Sequence, residues 1–197
     1  MKSTLTILFV LCFALGCEPK VPERAVVYDR EFVRDGITTY VDPVEVHGKN
    51  IERSYTAKVT AITDGDTIKV LINSEEKKIR LESVDAPETK QPFGTKAKEA
   101  LGELVAGKSV VIKETGKYRY GRVLAFIEVD GANVSEEMIK RGMSWYYIEY
   151  GMSLDLAILQ DAAMESKIGL WGGSEEPIAP WDWRKIEREK RKADSSK

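Results

Sequence analysis

Apolar and polar residues alternate from residue 55 to residue 61, and the turn pair Asp64–Gly65 follows directly. This period of two is typical of a strand with one buried face. Two further strands are predicted at 67–72 and 78–84, joined by a turn at 73–75. Two more apolar strands, which form a second hairpin, are predicted at the ranges 109–114 and 122–129.

Three helices are predicted among and after these strands. The first follows Pro92 and runs over 93–105, and the last spans 154–168 before Gly169. The middle helix begins near Asn133, which has a glutamate three residues later as in a capping box, and stops at Gly142. Five strands with a helix after the third predict an α+β fold, an OB-like five-stranded barrel with about three helices.

The chain divides into four predicted segments. Residues 4–15 carry no charge and are too few to span a membrane comfortably, so they are typical of an export signal. A polar stretch without sustained periodicity follows. The C-terminal residues are strongly charged, which favours a solvated, fraying helix. The predicted bounds are 1–16 for the signal peptide, 17–53 for a tether, 54–173 for the folded domain and 174–197 for the charged tail.

Cys17 is a candidate for lipidation. The small residues Ala14 and Gly16 suit cleavage just before it, and the stretch resembles a bacterial lipobox with Ala14 where leucine is usual. One interpretation is a lipoprotein anchored to the cell envelope through Cys17. The other is a secreted soluble protein with one unpaired thiol. Cys12, the second of the two cysteines, leaves with the signal peptide, so the mature chain has no intramolecular disulfide.

The charge balance limits how this chain can bind nucleic acid. It has 30 Lys and Arg against 32 Asp and Glu, a formal net charge of -2. A protein that coats duplex DNA with a broad basic surface is usually basic. Any contact with nucleic acid is therefore expected in a local cationic cleft on a mildly acidic body.

Two carboxylates are predicted to meet at the open end of the first hairpin. If the turn lies near Ser74, antiparallel pairing places Asp66 roughly opposite Ser83, with Asp85 two residues further along. Carboxylate oxygens are suitable ligands for a hard cation, and the Ala86 carbonyl can complete the protein's share. The sequence therefore predicts that Asp66 and Asp85 can share one metal ion.

A third carboxylate and two arginines are predicted near the same point. Glu88 follows Asp85 across a turn stiffened by Pro87, which suits action through a metal-side water. Arg80 can reach the hairpin mouth, and Arg122 can close the site from the other hairpin. Guanidinium pairs can clamp a phosphate, so this set suits phosphodiester cleavage. Taken singly, each feature has a structural alternative: a turn at 64–66, a polar loop at 85–88, and surface ion pairs for Arg80 and Arg122.

Four blocks of sequence resemble the staphylococcal-nuclease-like, or thermonuclease, family. The resemblance spans residues 55–171. It implies an OB-fold barrel that cleaves DNA and RNA with one calcium ion, breaks the bond to the 5′-oxygen and leaves 3′-phosphate ends. The blocks that carry it are 62–68, 79–88, 120–125 and 134–142.

The resemblance also implies roles for individual residues. Glu88 would orient or deprotonate the attacking water, while Arg80 and Arg122 would stabilise the charge that grows on the phosphate oxygens. In the family pattern the implied calcium ligands are Asp66, Asp85 and the Ala86 carbonyl, and the implied catalytic residues are Arg80, Glu88 and Arg122.

Three tyrosines are weaker candidates. Tyr120 is expected to contact a phosphate or a base, and Tyr147 and Tyr150 are candidate stacking platforms for a base. Packing in the core is the alternative for each of them. The chain also departs from the family pattern, because Ala86 replaces a threonine and the loop at 89–93 is short, which should alter the substrate lip.

Three functions are consistent with these residues. The first is an exported, calcium-dependent nuclease that acts on DNA or RNA, tethered by lipid if Cys17 is modified. The second is a catalytically weak nucleic-acid-binding module of the same fold. The third is an envelope lipoprotein that uses the domain as a spacer. The only histidine, His47, lies in the predicted tether, which disfavours histidine-based catalysis. We expect a monomer.

Overall fold

The computed structural model describes residues 31–34, 37–40, 45–46, 49–150 and 153–195. The predicted signal peptide and Cys17 lie outside these residues. The described strands are β1 (Glu31–Arg34), β2 (Ile37–Tyr40), β3 (Glu45–Val46), β4 (Lys49–Asn50), β5 (Arg53–Ile62), β6 (Thr67–Ile72), β7 (Glu75–Leu81), β8 (Val84–Asp85), β9 (Ser109–Arg119), β10 (Arg122–Val129), β11 (Ala132–Asn133) and β12 (Trp145–Tyr146). The described α-helices are α1 (Gly94–Val105), α2 (Val134–Lys140), α3 (Leu154–Glu165) and α4 (Pro180–Asp194).

Five strands close into a barrel. Strand β5 pairs with both β6 and β9, β6 pairs with β7, and β9 pairs with β10, all antiparallel. Strands β7 and β10 are parallel and close the ring. The predicted α+β fold with a five-stranded OB-like barrel is confirmed. The described residues contain four α-helices rather than about three, because the predicted charged tail contains α4.

The alternation that predicted β5 places Tyr55, Ala57 and Val59 inside the barrel. They pack with fully buried residues of the neighbouring strands, such as Ile68 and Ile79. Each face of β5 therefore has its own role, one in the core and one toward solvent.

The hairpin between β6 and β7 is tighter than expected. Asn73 and Ser74 both have a left-handed backbone, with φ of 48° and 64°, and form a two-residue turn. The register therefore pairs Thr67 with Arg80, and the Leu81 N–H donates to the Asp66 carbonyl. The predicted position of Asp66 opposite Ser83 is wrong by two residues, because the turn centre lies before Ser74.

Helices α2 and α3 begin at side-chain caps. The Asn133 side chain accepts hydrogen bonds from the backbone N–H groups of Ser135 and Glu136, as the sequence predicted for this helix start. The Ser153 side chain caps α3 in the same way. Helix α3 ends at Glu165, three residues before the predicted end.

Part of the predicted tether is paired. Strands β1 and β2 form a hairpin, and β2 continues onto β5 by pairing Thr39 with Tyr55. The predicted tether at 17–53 therefore contains described strands. Strands of four residues offer too few positions to reveal a period in the sequence.

Helix α4 lies against the body of the molecule. The Gln91 Nε2 group donates to the Ile178 carbonyl at 2.5 Å, just before the helix begins. The Trp181 ring lies 5.4 Å from the Tyr147 ring, measured between centroids. The tail is helical, as expected, and Trp181 in its first turn packs on the body, as the tryptophans at 181 and 183 predict. Arg184 in the next turn, which was expected to be solvated, donates to Asp85 instead. Among the described helices, none has the length and apolar character needed to cross a membrane.

Candidate active site

A cavity of about 460 Å³ opens at one end of the barrel, between the β5–β6 loop, the segment 85–88, the β9–β10 turn and helix α4. The structure brings most of the predicted site residues to its wall. These are Asp66, Arg80, Asp85, Glu88, Arg122, Tyr120 and Tyr147. Asp64, Arg184 and Arg188 also line the cavity.

Arg80 is the centre of the site. Its Nη2 atom lies 3.1 Å from Asp66 Oδ2 and 2.9 Å from Asp85 Oδ1. Its Nη1 atom donates to the carbonyls of Leu81 and Val84 at 3.1 and 2.9 Å. Arg80 is only 4% exposed, so these contacts hold the guanidinium rigidly. One buried cation thus brings together the two carboxylates that the sequence assigned to a metal.

Asp66 is oriented by its neighbours. Its Oδ1 atom accepts from the Thr67 hydroxyl at 2.9 Å, and its Oδ2 atom accepts from the Ala86 N–H at 3.0 Å. The second bond joins the β5–β6 loop to the segment after β8. It brings the backbone at Ala86 next to the Asp66 carboxylate.

Asp85 is held by two arginines. Arg184 donates from Nη2 to Asp85 Oδ2 at 2.7 Å and from Nη1 to Asp85 Oδ1 at 3.2 Å. Arg80 contacts the same carboxylate from the barrel side. Burial raises the pKa of Asp85, and the two arginines oppose that rise.

Glu88 is paired with the same arginine. Arg184 Nη1 lies 2.8 Å from Glu88 Oε1. Burial disfavours the charged guanidinium, but the hydrogen bonds and charges of Asp85 and Glu88 outweigh it and raise the pKa of Arg184. Arg184 is therefore a fixed positive charge at the mouth of the site.

A further carboxylate adds negative charge nearby. Asp64 Oδ1 accepts a hydrogen bond from the Asp66 N–H at 3.1 Å. Burial, and then repulsion from the Asp66 carboxylate, raise the pKa of Asp64 to about 6. The glycine between them has no room for a side chain, because a Cβ atom on Gly65 would lie 2.7 Å from the Cβ of Ala86.

Arg122 and the tyrosines lie on the outer wall. Arg122 is half-buried and its Nη1 atom is 3.4 Å from the Thr67 hydroxyl. Tyr120 is 92% exposed, which excludes a place in the core. The Tyr147 hydroxyl donates to Glu149, and the Tyr147 ring contacts Trp181. Tyr150 is the last residue of a short 3-10 helix, Ile148–Tyr150. Its side chain lies outside the described part of the chain.

The donor chemistry of the cavity suits a hard cation. No group of three or more His, Cys, Asp or Glu side chains forms a metal cluster within the described residues. Asp66 and Asp85 nevertheless converge on one nitrogen, Nη2 of Arg80, and they offer only oxygen donors, as calcium prefers. The two carboxylates have the chemistry that calcium prefers, and a bound ion would compete with Arg80 for both of them and with Arg184 for Asp85.

Sequence reasoning missed Arg184 and Arg188. They belong to a basic row at 184, 188 and 191, which has the spacing of one helix face. Pro180 marks the start of this helix, but the local pattern does not show that its basic face reaches the site. The distance of this segment from the barrel motifs in sequence hid the connection.

The chain is similar in sequence to known proteins. The sequence model of one protein family, described as "Staphylococcal nuclease homologue", matches residues 78–173 of this chain. The chain is 39% identical over 128 residues to a protein of Escherichia coli named as an uncharacterized endonuclease, which covers 64% of this chain and 83% of that protein. A Haemophilus influenzae protein with the same name is 40% identical, over 68% of this chain and 75% of its own length. A Shigella flexneri protein named micrococcal nuclease is 33% identical, over 68% of this chain and 83% of its own length.

Proposed function

This chain belongs to the staphylococcal nuclease family, and from that premise we propose that it is a calcium-dependent phosphodiesterase that hydrolyses DNA, RNA or both. One observation carries the proposal. One cavity is lined by three carboxylates and two arginines that come from separate segments: Asp66, Asp85, Glu88, Arg80 and Arg122. Calcium, when bound, supplies positive charge beside the scissile phosphate. Asp66, Asp85 and the Ala86 carbonyl would hold the ion.

The two arginines have different parts in this proposal. Arg80 is buried and fixed, so it orients the two carboxylates and presents a constant positive charge to the phosphate. Arg122 is half-buried and faces the cavity, where it can donate two hydrogen bonds to phosphate oxygens. The charge of Arg80 and the donors of Arg122 stabilise the negative charge that grows on these oxygens as phosphorus becomes five-coordinate.

Glu88 orients the attacking water. Its side chain is 42% exposed and lies on the cavity wall, within reach of solvent. Released from Arg184, its carboxylate accepts a hydrogen bond from the water and aligns it with the phosphorus. The water oxygen forms a bond to phosphorus as the bond from phosphorus to the 5′-oxygen breaks. The proton that the water loses ends on the 5′-oxygen. The products have 3′-phosphate and 5′-hydroxyl ends.

A catalytically weak binding module of the same fold is the second candidate. The observation that favours it is the contact of Arg184 with both Asp85 and Glu88, which blocks two residues of the proposed mechanism. A module locked in this state would hold nucleic acid through Arg122 and the outer wall without cleaving it.

Digestion of single-stranded DNA by the purified full chain tests the proposal. We expect cleavage with calcium and none with a chelator. Glu88→Ala should lower the rate by about 10²–10⁴-fold, the usual contribution of a group that moves or orients a proton. Glu99→Ala is the matched control, because Glu99 is exposed on α1 away from the cavity. Absence of cleavage by the folded wild-type protein would favour the binding module.

A further inference from the structure

A second cavity, of about 410 Å³, adjoins the first along helix α4. Glu88, Arg184 and Arg188 line both cavities, so the two are continuous. The second cavity extends from the catalytic carboxylate to the third turn of α4.

The wall of the second cavity carries an excess of positive charge. Arg184, Arg188 and Arg191 come from one face of α4, at positions i, i+4 and i+7, and Lys90 faces them from the loop before α1. These three helical residues span roughly 10 Å of the helix axis, at 1.5 Å per residue. The wall is therefore a short cationic track rather than a single charge.

The acidic residues of this cavity already have partners. Glu88 Oε1 is paired with Arg184 at 2.8 Å, and Glu187 Oε1 is paired with Lys190 at 3.1 Å. Lys90, Arg188 and Arg191 form no ion pair among the described residues. Three cations without a counter-ion beside a proposed phosphodiesterase site point to an anionic ligand.

An aromatic ring in the same wall narrows the ligand class. Trp183 lines the cavity and is half-buried, so part of its ring is accessible. Cationic side chains that follow a backbone and an aromatic ring on which a base can stack form the usual combination in sites for single-stranded nucleic acid.

We propose that the α4 face of Arg188 and Arg191, with Lys90 opposite, is a substrate subsite that binds backbone phosphates of a single nucleic-acid strand next to the scissile bond. This inference rests on the proposed function, because it continues the same cleft. It also explains how a chain with a net charge of -2 binds a polyanion, since the positive charge is concentrated on one helix face.

Binding is measured separately from cleavage. Fluorescence anisotropy of a labelled oligothymidylate in chelator reports the dissociation constant of the full chain without hydrolysis. The test variant is Arg188→Ala/Arg191→Ala. The control is Lys185→Ala/Lys192→Ala, which removes the same charge from the same helix at residues that do not line the cavity.

The test variant should bind about tenfold more weakly and lose roughly 1.4 from the slope of log affinity against log salt, about 0.7 for each phosphate contact. The control should retain the wild-type slope. With calcium, the test variant should raise KM and leave kcat unchanged. Circular dichroism checks that α4 remains helical in both variants.

Several outcomes would overturn the subsite. Equal weakening in both variants would show a general effect of charge, and unchanged binding in the test variant or undetectable binding by the wild type would show no contact. The proposed nuclease function is judged apart from these results. If the wild type binds through Arg188 and Arg191 but does not cleave, the subsite is supported and the nuclease function is refuted. If the wild type cleaves and both variants behave alike, the nuclease function is supported and the subsite is refuted.

Discussion

Arg184 Nη2 lies 2.7 Å from Asp85 Oδ2, so a residue of the last helix holds a carboxylate proposed to bind calcium. The Asp85 side chain is only 2% exposed, so water does not compensate its negative charge. A cation bound at this carboxylate must therefore displace the Arg184 guanidinium or share the carboxylate with it. Calcium binding and the position of the α4 side chain are linked.

Arg184→Ala should bind calcium more tightly. The Arg184 side chain is 38% exposed, so solvent screening limits the pair to about 1 kcal/mol, or roughly fivefold in the dissociation constant. Titration calorimetry of the metal-free protein measures the change, with Lys185→Ala as a control on the same helix. Weaker calcium binding in Arg184→Ala would contradict the competition.

Arg80 and Arg122 should differ in their effect on stability. Arg80→Ala leaves the buried Asp66 and Asp85 without their shared cation, and should lower the free energy of unfolding by about 3–5 kcal/mol. Arg122→Ala removes a half-buried side chain with one long contact and should cost under about 1 kcal/mol. Both should lose cleavage activity. Urea unfolding in chelator measures the difference, and equal losses of stability would refute it.

Gly65→Ala should destabilise the loop that carries Asp66. The new Cβ would lie 2.7 Å from the Cβ atoms of Ala86 and Ala97, so the loop must move away from α1. Such overpacking costs about 1–3 kcal/mol, and calcium affinity should fall with it. Gly102→Ala is the matched control, because its Cβ would meet Ile62 only at 3.9 Å and alanine favours a helix. Similar stability of the two variants would contradict the packing argument.

The barrel was predictable because its signals are local. The alternation around Val59 places one face of β5 in the core, and the cap at Asn133 begins α2, and both are properties of a few neighbouring residues. The register of β6 on β7 was predicted two residues away, because sequence does not show whether the turn centre is before or at Ser74. An error of two preserves the side-chain face, so Asp66 and Asp85 still meet.

The contact between Arg184 and Asp85 was not predictable from local pattern. The two residues are 99 positions apart, and a charged C-terminal segment is most often solvated. Its docking depends on the Trp181 ring meeting Tyr147 and on Gln91 bonding to the backbone at Ile178. These are single tertiary contacts that leave no period in the sequence.

Cys17→Ala should release the protein from membranes if Cys17 is the lipid anchor. The prediction rests on the sequence, since this residue lies outside the described part of the chain. Detergent phase partitioning of the full chain expressed in a bacterium measures the change, with Cys12→Ala as the control, because Cys12 lies in the predicted signal peptide. Unchanged partitioning of Cys17→Ala would favour a protein without a lipid on this cysteine.

Tyr120 should strengthen substrate binding and lower the stability of the fold. It occupies a left-handed position, φ 52°, in the two-residue turn between β9 and β10, where asparagine or glycine is favoured. A bulky residue held there beside a proposed active site suggests a functional constraint. Tyr120→Asn should therefore raise the free energy of unfolding by about 1 kcal/mol and raise KM for oligonucleotides, because the 92% exposed ring at the cavity mouth is lost. Tyr120→Phe, which retains the ring and the strain, should leave stability unchanged. If Tyr120→Asn is more stable with an unchanged KM, the ring does not contact substrate, and the strain serves no role in binding.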